Sequence, residues 1–251
     1  MALLLIDLGN SRLKWGVGDG AGVPVHGVIA LEAIESLADS VRARCTAPLQ
    51  AAVGCAVAGP AASLRTDAQL ARLGLRCHWI RSVPRQCGVR NGYTTPAGLG
   101  ADRWAALIGA RLRHPRRAVL ILSAGTAVTI DCLAADGRFL GGVILPGFGL
   151  MLRALEMGTA GLKVPEGELR EFPNNTSDAL MTGGALAIAG AARQMYERLA
   201  RLHEQPPVVL LTGGAAPKLE PALGLPHEPA EQLVFEGLLG IAAERGFGVP
   251  R

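Results

Sequence analysis

The order of strands and helices occurs twice along the chain. Short apolar runs and alternating segments predict three successive strands followed by alternating helices and strands, and the pattern begins again after His114-Pro115. The predicted strands of the two triplets are Leu3–Ile6, Arg12–Val17, Val23–Ala30, Ala118–Leu122, Ala127–Leu133 and Gly137–Ile144. This repeat predicts an α/β fold of two similar lobes, residues 1–114 and 115–251, with a cleft between them.

Helical periodicity and apolar runs locate the other elements. The predicted helices are Leu31–Arg44, Pro60–Leu73, Pro96–Leu112, Phe148–Met157, Thr176–Arg201 and Pro229–Arg245. The predicted single strands are Leu49–Ala56, Cys77–Arg81 and Val208–Thr212. The two halves have little residue-level identity, so the duplication is predicted from the order of elements alone.

Composition narrows the class of protein. Hydrophobic residues make up 49% and charged residues 18% of the 251 residues, a balance that supports a large core. No apolar run is long enough to span a membrane, and the first residues lack the basic segment of a signal peptide. Five cysteines without a CxxC pair predict reduced thiols and no metal site, so we expect a cytoplasmic protein without a membrane partner.

The charge of the chain gives little sign of a nucleic-acid partner. The net charge is only +4, and the densest basic stretch is Arg111–Arg117. This stretch has no interleaved aromatic residues, so we interpret it as a solvated helix end and expect no nucleic acid to bind there.

Four glycine-containing turns lie at predicted strand ends. Glycine lets an anionic oxygen approach backbone N–H groups, so each turn is a candidate phosphate contact, although each alone is more often an ordinary turn. The GxxxxGK[ST] and GxGxxG patterns are absent, so neither a P-loop nor a Rossmann site is indicated. The turns are Asp7-Leu8-Gly9-Asn10-Ser11, Ala124-Gly125-Thr126, Pro146-Gly147 and Thr212-Gly213-Gly214.

The first of these turns carries the most chemistry. Asp7 ends an apolar strand, and a carboxylate there can hold Mg²⁺ through water because Mg²⁺ prefers oxygen ligands and keeps part of its hydration shell. Lys14 lies in the next strand and can face the same phosphate. The alternative is that Asp7 caps its own turn and Lys14 is simply exposed. The local sequence does not decide between the two.

Five motifs together resemble a known family. In sequence order they are Asp7-Leu8-Gly9-Asn10-Ser11 with Lys14, Gly100-Ala101-Asp102-Arg103, Gly125-Thr126-Ala127-Val128-Thr129, Gly141-Gly142-Val143-Ile144-Leu145-Pro146-Gly147 and Asn175-Thr176. This series resembles the type III pantothenate kinases, or Bvg accessory factors, of the actin/hexokinase/Hsp70 superfamily, over residues 3 to about 245. The resemblance implies a duplicated ribonuclease-H-like fold and a homodimer that helps to enclose pantothenate. It also implies phosphorylation of pantothenate by Mg-ATP to 4′-phosphopantothenate, the first step of coenzyme A synthesis.

The resemblance also implies roles for individual residues. Asp102 matches the catalytic base. The residues that match the ATP site are Asp7, Leu8, Gly9, Asn10, Ser11, Arg12, Leu13, Lys14 and Thr126, and those that match the pantothenate site are Tyr93, Gly100, Ala101, Asp102, Arg103 and Thr176. Thr212-Gly213-Gly214 lies where the superfamily binds adenosine.

Each role has a plainer alternative. Asp102 alone is more typical of a helix-start carboxylate beside an arginine. Arg103 suits a bidentate grip on the carboxylate of pantothenate, but it equally suits a surface salt bridge. Thr176 is a candidate helix N-cap. Thr129 and Asp131 share one face of a strand, and Asp131 is a further candidate for the phosphates or Mg²⁺.

Ser123 departs from the family pattern. The family often has an aspartate here that binds a monovalent cation, K⁺ or NH₄⁺, whereas a serine brings no charge, so we assign no metal ligand. The main alternative function is a catalytically idle, kinase-like accessory protein in transcription regulation, and the loss of this aspartate is the feature that favours it. Another member of the superfamily, such as a sugar kinase or an exopolyphosphatase, is disfavoured by Tyr93 and by the Gly100–Arg103 motif.

Overall fold

The structure is a computed structural model that describes residues 2–19, 22–158 and 165–247. Within these ranges the strands are β1 (Ala2–Leu8), β2 (Arg12–Asp19), β3 (Gly22–Ala30), β4 (Leu49–Ala56), β5 (Cys77–Trp79), β6 (Arg85–Gln86), β7 (Val89–Arg90), β8 (Val119–Ala124), β9 (Ala127–Leu133), β10 (Phe139–Pro146), β11 (Val208–Thr212) and β12 (Glu228–Pro229). The α-helices are α1 (Leu37–Arg44), α2 (Pro60–Arg72), α3 (Ala101–Arg113), α4 (Phe148–Gly158), α5 (Thr176–Ala200), α6 (Ala216–Leu223) and α7 (Leu233–Glu244).

The two large sheets have the same strand order. The first is β3-β2-β1-β4-β5, in which the central β1 pairs antiparallel with β2 and parallel with β4. The second is β10-β9-β8-β11-β12, in which β8 pairs antiparallel with β9 and parallel with β11. The duplication that the sequence predicts is therefore confirmed at the level of topology.

The chain divides into two compact units that differ from its two halves. The first unit runs from the start of the chain to Pro115 and also includes Gly137–Phe139 and the chain from Gln232 onwards. The second unit is Arg116–Asp136 and Leu140–Glu231. The sequence assigns all of residues 115–251 to one lobe. In the structure, α7 and the start of β10 belong to the first unit instead.

The packing of α7 on α3 explains why it joins the first unit. A Cβ atom added to Gly237 of α7 would collide with the backbone carbonyl of Ala105 in α3, so only glycine permits this approach. Arg113 of α3 and Glu236 of α7 form an ion pair at the same interface.

The same helix covers one face of the first sheet. Gly16 and Gly18 of β2 leave room for it, because Cβ atoms there would lie 3.1 Å from Phe235 Cε2 and 2.7 Å from Leu239 Cδ2. The opposite face of the sheet packs against α1 and α2 in a core that includes the fully buried Trp15. The first sheet is therefore covered on both faces within its own unit.

The second sheet buries one face against α5 and α6. Leu122 and Ile130 on the sheet share a core with Ile188 of α5 and Leu219 of α6, and all four side chains are fully buried. Across the described ranges, no helix combines the length and apolar character that crossing a bilayer requires.

Several local features differ from the prediction. The helix expected from Pro96 begins at Ala101, after a short 3-10 helix at Pro96–Gly98, and residues 31–44 form a 3-10 helix with a non-helical Ala33 (φ −103°) and then α1. The short strands β6 and β7 and the helix α6 were not predicted; in α6 one proline lies in the first turn and Pro221 lies within the helix. Pro229 belongs to β12, so the last helix begins later than predicted, at Leu233.

Candidate active site

Asp7 lies near the end of the central strand of the first sheet, between two potential partners. The register pairs it with Lys14 on β2 and with Cys55 on β4, so the three side chains share one face. Lys14 Nζ is 3.5 Å from Asp7 Oδ2, and Cys55 Sγ donates a hydrogen bond to Asp7 Oδ1 at 3.6 Å. The side chain of Asp7 is only 13% exposed, against 41% for Lys14.

Burial dominates the electrostatics of Asp7. Loss of solvent raises the pKa of its carboxyl group, the Lys14 ammonium opposes this, and the charge of Asp102 raises the pKa further. The carboxylates of Asp7 and Asp102 therefore repel each other electrostatically. The thiol of Cys55 also has a raised pKa, because it is fully buried beside these two charges, and it therefore stays a neutral donor.

The turn after β1 exposes its backbone and small polar side chains. The Gly9 N–H donates to the Arg12 carbonyl at 3.0 Å, which closes the hairpin, and Asn10 is exposed. Leu8 and Leu13 are fully buried in the core of the sheet. Of the predicted ATP-binding run, these two leucines can therefore offer only backbone atoms to a nucleotide.

Asp102 lies in the first turn of α3. Its Oδ1 accepts the N–H of Arg103 at 2.8 Å, a helix-start interaction that orients the carboxylate. A Cβ atom on Gly100 would lie 2.6 Å from that same oxygen and 3.9 Å from Val57 Cγ1. The Val57 N–H in turn donates to the Leu8 carbonyl at 2.9 Å, so the start of α3 lies at the end of β1 where Asp7 is found.

Arg103 points into a buried aromatic cluster. It is 8% exposed, and its Nη1 donates to Tyr93 Oη at 2.8 Å. Its guanidinium carbon lies 5.7 Å from the ring centre of Tyr93 and 5.9 Å from that of Phe139. The structure therefore brings together Tyr93 and Arg103, two of the predicted pantothenate residues, and rules out a surface position for Arg103.

Asn91 organises the loop that carries Tyr93. Its Oδ1 accepts the Tyr93 N–H at 2.9 Å, and its Nδ2 donates to Ser82 Oγ at 2.7 Å and to the Pro96 carbonyl at 3.2 Å. One side chain thus ties three points of this loop together, ahead of Gly100 and Asp102.

The other three glycine turns converge within the second unit. The Gly147 N–H donates to the Thr126 carbonyl at 3.0 Å, and an added Cβ at Gly147 would lie 2.7 Å from that same oxygen. Gly213 has φ +99°, and a Cβ there would lie 2.7 Å from the Ala124 nitrogen. Thr126 is exposed at the tip of this cluster, which presents backbone groups and one hydroxyl.

Ser123 occupies the position in the second sheet that Asp7 occupies in the first. The register pairs it with Thr129 on β9 and Thr212 on β11, so three hydroxyl side chains share one face. Asp131 lies two residues beyond Thr129 and is 2% exposed, so its carboxylate is deep in the fold. No group of three or more His, Cys, Asp or Glu side chains suited to a metal occurs in the described part of the chain.

Thr176 begins α5 and is exposed. The N-cap role belongs instead to Asn175, whose Oδ1 accepts the Asp178 N–H at 2.9 Å, so the hydroxyl of Thr176 is not needed as a cap. Asp178 Oδ1 accepts the Glu168 N–H at 2.8 Å, which lowers the pKa of Asp178 and attaches the preceding segment to α5.

Three residues of the site were not predicted from the sequence: Cys55, Asn91 and Phe139. Cys55 reaches Asp7 only through the register of two parallel strands, which no local pattern encodes. Asn91 did carry a signal, because Asn-Gly before a tyrosine is typical of a side chain that bonds to its own loop. Phe139 had none, since it follows a hairpin turn and reads as an ordinary strand residue.

Comparison with known proteins gives a consistent family. The family model described as type III pantothenate kinase matches residues 3–198. A protein of Methylibium petroleiphilum named type III pantothenate kinase is 51% identical over 254 residues, which is 98% of this chain and 100% of that protein. One of Leptothrix cholodnii with the same name is 50% identical over 258 residues, 98% of each chain.

Solved structures share the fold at low identity. A Campylobacter jejuni protein described as a conserved putative Baf family transcriptional activator is 20% identical with TM-score 0.59, over 97% of this chain and 98% of that chain. The activator of 2-hydroxyisocaproyl-CoA dehydratase from Clostridium difficile, solved with bound ADPNP, is 11% identical with TM-score 0.52, over 100% and 99%. At these identities the likeness extends to the fold and not to activity.

Proposed function

The chain belongs to the type III pantothenate kinase family, and from this premise we propose how its residues transfer the γ-phosphoryl group of ATP to pantothenate. The product is 4′-phosphopantothenate, at the first step of coenzyme A synthesis. The observation that carries the proposal is the joint position of Asp102, at the start of α3 near the end of β1, and of Arg103, hydrogen-bonded to Tyr93.

Asp102 is the group that we assign to the substrate hydroxyl. Its Oδ1 is held by the Arg103 N–H, so we assign Oδ2 to accept the proton of the 4′-hydroxyl. As the hydroxyl oxygen bonds to the γ-phosphorus, the bond from that phosphorus to the bridging oxygen breaks and ADP leaves. The Asp102 proton then passes to solvent, which restores the carboxylate.

Arg103 and Tyr93 are the residues that we assign to the other end of the substrate. Pantothenate carries one carboxylate, and a guanidinium forms two parallel hydrogen bonds to such a group. The buried position of Arg103 strengthens this interaction, because a desolvated charge pair is screened less. Gly100 and Ala101 then bring backbone atoms to the same region at the start of α3.

For the nucleotide we assign Asp7–Lys14 and Thr126 to the phosphates. Lys14 supplies positive charge near the start of β2, and the turn before that strand brings the exposed Asn10 and Ser11 to the same edge of the sheet. Asp7 offers the kind of oxygen ligand that would hold Mg²⁺ through its water shell, and Mg²⁺ when bound neutralises phosphate charge. We assign the turn at Gly213 to contact adenosine; at Gly213 itself only glycine fits.

A monovalent cation has only neutral ligands at the expected place. Ser123, Thr129 and Thr212 offer hydroxyl oxygens without a charge. We therefore propose that K⁺ or NH₄⁺ changes turnover of this chain only slightly relative to Na⁺.

A homodimer is supported by exposed apolar side chains in the second unit. Large exposed hydrophobic residues occur on β10, on α4, on the segment before α5 and on α5 itself, and such side chains are the kind that a second subunit would cover. They are Ile144, Leu155, Met157, Phe172 and Leu186. Thr176 begins α5 in this same part of the chain, so in our proposal the dimer brings it to pantothenate. The five free cysteines support a reducing, cytoplasmic setting.

The experiment that tests the function is ADP release from the purified protein with Mg-ATP, with and without pantothenate, in Na⁺, K⁺ and NH₄⁺ buffers. We expect ADP release that requires pantothenate, yields 4′-phosphopantothenate in equal amount, and varies less than about threefold among the three cations. Absence of pantothenate-dependent turnover in every buffer would contradict the proposal and return the accessory-protein alternative. Light scattering on the same sample measures the oligomeric state.

A further inference from the structure

Three side chains of the first unit form a compact stack, which we call the Arg103 stack: Arg103, Tyr93 and Phe139. The rings of Tyr93 and Phe139 lie 5.6 Å apart with an interplanar angle of 23°. The guanidinium carbon of Arg103 is within 6 Å of both ring centres, at 5.7 and 5.9 Å. Both distances lie in the range of an attractive cation–π contact.

A backbone hydrogen bond between β7 and the turn before β10 places Phe139 in the Arg103 stack. The Arg90 N–H donates to the Gly137 carbonyl at 2.8 Å, which attaches the turn before β10 to β7. Gly137 has φ +84°, and an added Cβ would collide with the Gly88 carbonyl, so glycine is required for this approach. Phe139, two residues further on, is fully buried.

The ring of Phe139 restricts the plane of the guanidinium. Arginine binds a carboxylate through a flat fork of N–H groups, so the strength of that grip depends on how its plane is oriented. The hydroxyl of Tyr93 accepts a hydrogen bond from Nη1 and so anchors that nitrogen of the fork. The Phe139 ring acts on the orientation of the guanidinium plane as a whole, because the cation is attracted to the ring.

We propose that Phe139 is a positioning residue that determines selectivity for the carboxylate of the substrate, through Arg103. This inference rests on the proposed function, since it takes Arg103 to bind the carboxylate of pantothenate. Phe139 makes no contact with substrate in this account. Its effect appears as discrimination between pantothenate and pantothenol, the analogue in which an alcohol replaces the carboxylate.

The test is Phe139→Leu, with Phe235→Leu as the matched control. Both phenylalanines are buried in the first unit, at 0% and 6% exposure, but Phe235 packs α7 on β2. The ratio of kcat/KM for pantothenate to kcat/KM for pantothenol is measured for each. We expect Phe139→Leu to lower this ratio about tenfold, mainly through KM for pantothenate, with KM for ATP unchanged. Phe235→Leu should lower thermal stability without moving the ratio.

A double-variant cycle separates positioning from general damage. With Arg103→Lys already present, Phe139→Leu should leave the ratio unchanged, because no planar fork remains to orient. An unchanged ratio in Phe139→Leu alone, or equal falls in both backgrounds, would overturn the proposal. Wild-type protein without pantothenate-dependent turnover would instead overturn the proposed function and this inference with it. If Phe139→Leu does not fold, Phe139→Met gives the same comparison without a ring.

Discussion

The two units contain sheets of identical strand order, but they differ in the side chains at three equivalent, paired positions. In each, the residue before the last of the central strand pairs with the second strand on one side and the fourth on the other. In the first sheet these positions hold an acid, an amine and a thiol; in the second they hold three hydroxyls. The sets are Asp7, Lys14 and Cys55, and Ser123, Thr129 and Thr212.

This difference separates what the topology provides from what the side chains add. Each hairpin turn is closed by a glycine N–H: Gly9 donates to the Arg12 carbonyl three residues on, at 3.0 Å, and Gly125 donates to the Ala127 carbonyl two residues on, at 3.1 Å. The topology therefore supplies a glycine turn at the same end of the central strand in both units. At these paired positions the first unit holds the charged Asp7 and Lys14 where the second holds hydroxyls, and the charge of Asp102 on α3 further raises the pKa of Asp7. We therefore infer, as the central claim, that the charged chemistry belongs to the first unit.

The largest effect should come from Asp102→Asn. The amide cannot accept the hydroxyl proton, so we expect kcat to fall about 10²- to 10⁴-fold with little change in thermal stability. Steady-state ADP release at saturating pantothenate measures this. The control is Asp39→Asn on α1, an exposed residue paired with Arg72 at 2.9 Å, which should keep full activity. Near-normal turnover of Asp102→Asn would contradict its role as base.

The next effect is at Asp7 and has opposite signs for activity and stability. Asp7→Asn should lower kcat/KM for ATP about 100-fold, because the charge beside the phosphates and Lys14 is lost. It should also raise the melting temperature, because a buried charge with a raised pKa costs folding free energy. Calorimetry and ADP release on the same sample test both signs.

The raised pKa of Asp7 also predicts that the free energy of unfolding depends on pH. A carboxyl group whose pKa is raised by folding costs stability once the pH exceeds its unfolded pKa of about 3.9. Wild-type stability relative to Asp7→Asn should therefore decrease as the pH rises above 4 and become level above the folded pKa. An increase with pH would mean that the Lys14 ion pair outweighs burial.

A smaller effect is expected from the glycine cluster of the second unit. Gly213→Ala forces a left-handed φ of +99° on alanine and drives its Cβ against Ala124. We expect a loss of about 1–3 kcal/mol of stability and a KM for ATP about tenfold higher, with kcat nearly unchanged. Gly190→Ala on α5 is the matched control, since its Cβ meets open space, and it should stabilise the helix by about 1 kcal/mol.

The smallest effect should be at Ser123. Ser123→Ala removes one neutral hydroxyl, so turnover should change less than about threefold in Na⁺, K⁺ and NH₄⁺ alike. Activity that depends strongly on K⁺ in the wild type, and that is lost in this variant, would show that hydroxyls alone hold a required cation. Ser123 would then help to bind a cation where Asp7 supplies a carboxylate, and the two positions would no longer differ simply as neutral and charged.

Periodicity predicted the order of elements well because it is a local property. The apolar run of β1 and the alternation of β2 lie within single strands, and both strands are found where they were expected. The position of α7 is different, because it depends on Gly237 meeting the Ala105 carbonyl more than a hundred residues away. No window of sequence contains that contact.

The candidate site likewise contains residues that local motifs predict and residues that only long-range contacts bring in. Motif resemblance selected Asp102, Arg103 and Tyr93, and the structure groups them by local connection through α3 and the loop before it. The register of β1 and β4 places Cys55 in the site, and the hydrogen bond between β7 and the turn before β10 places Phe139 there. Both are tertiary properties that a local motif does not contain. The N-cap of α5 was predicted one residue late, because Asn175 and Thr176 are both good caps and only backbone geometry selects the first.

The most direct test of the central claim exchanges the residues at the two equivalent positions. Asp7→Ser and Ser123→Asp are compared for pantothenate-dependent ADP release at saturating Mg-ATP, after calorimetry shows that both fold. We predict that Asp7→Ser loses about 100-fold in turnover, whereas Ser123→Asp stays within about threefold of wild type. Equal losses in the two variants, or a larger loss in Ser123→Asp, would contradict the assignment of the charged chemistry to the first unit.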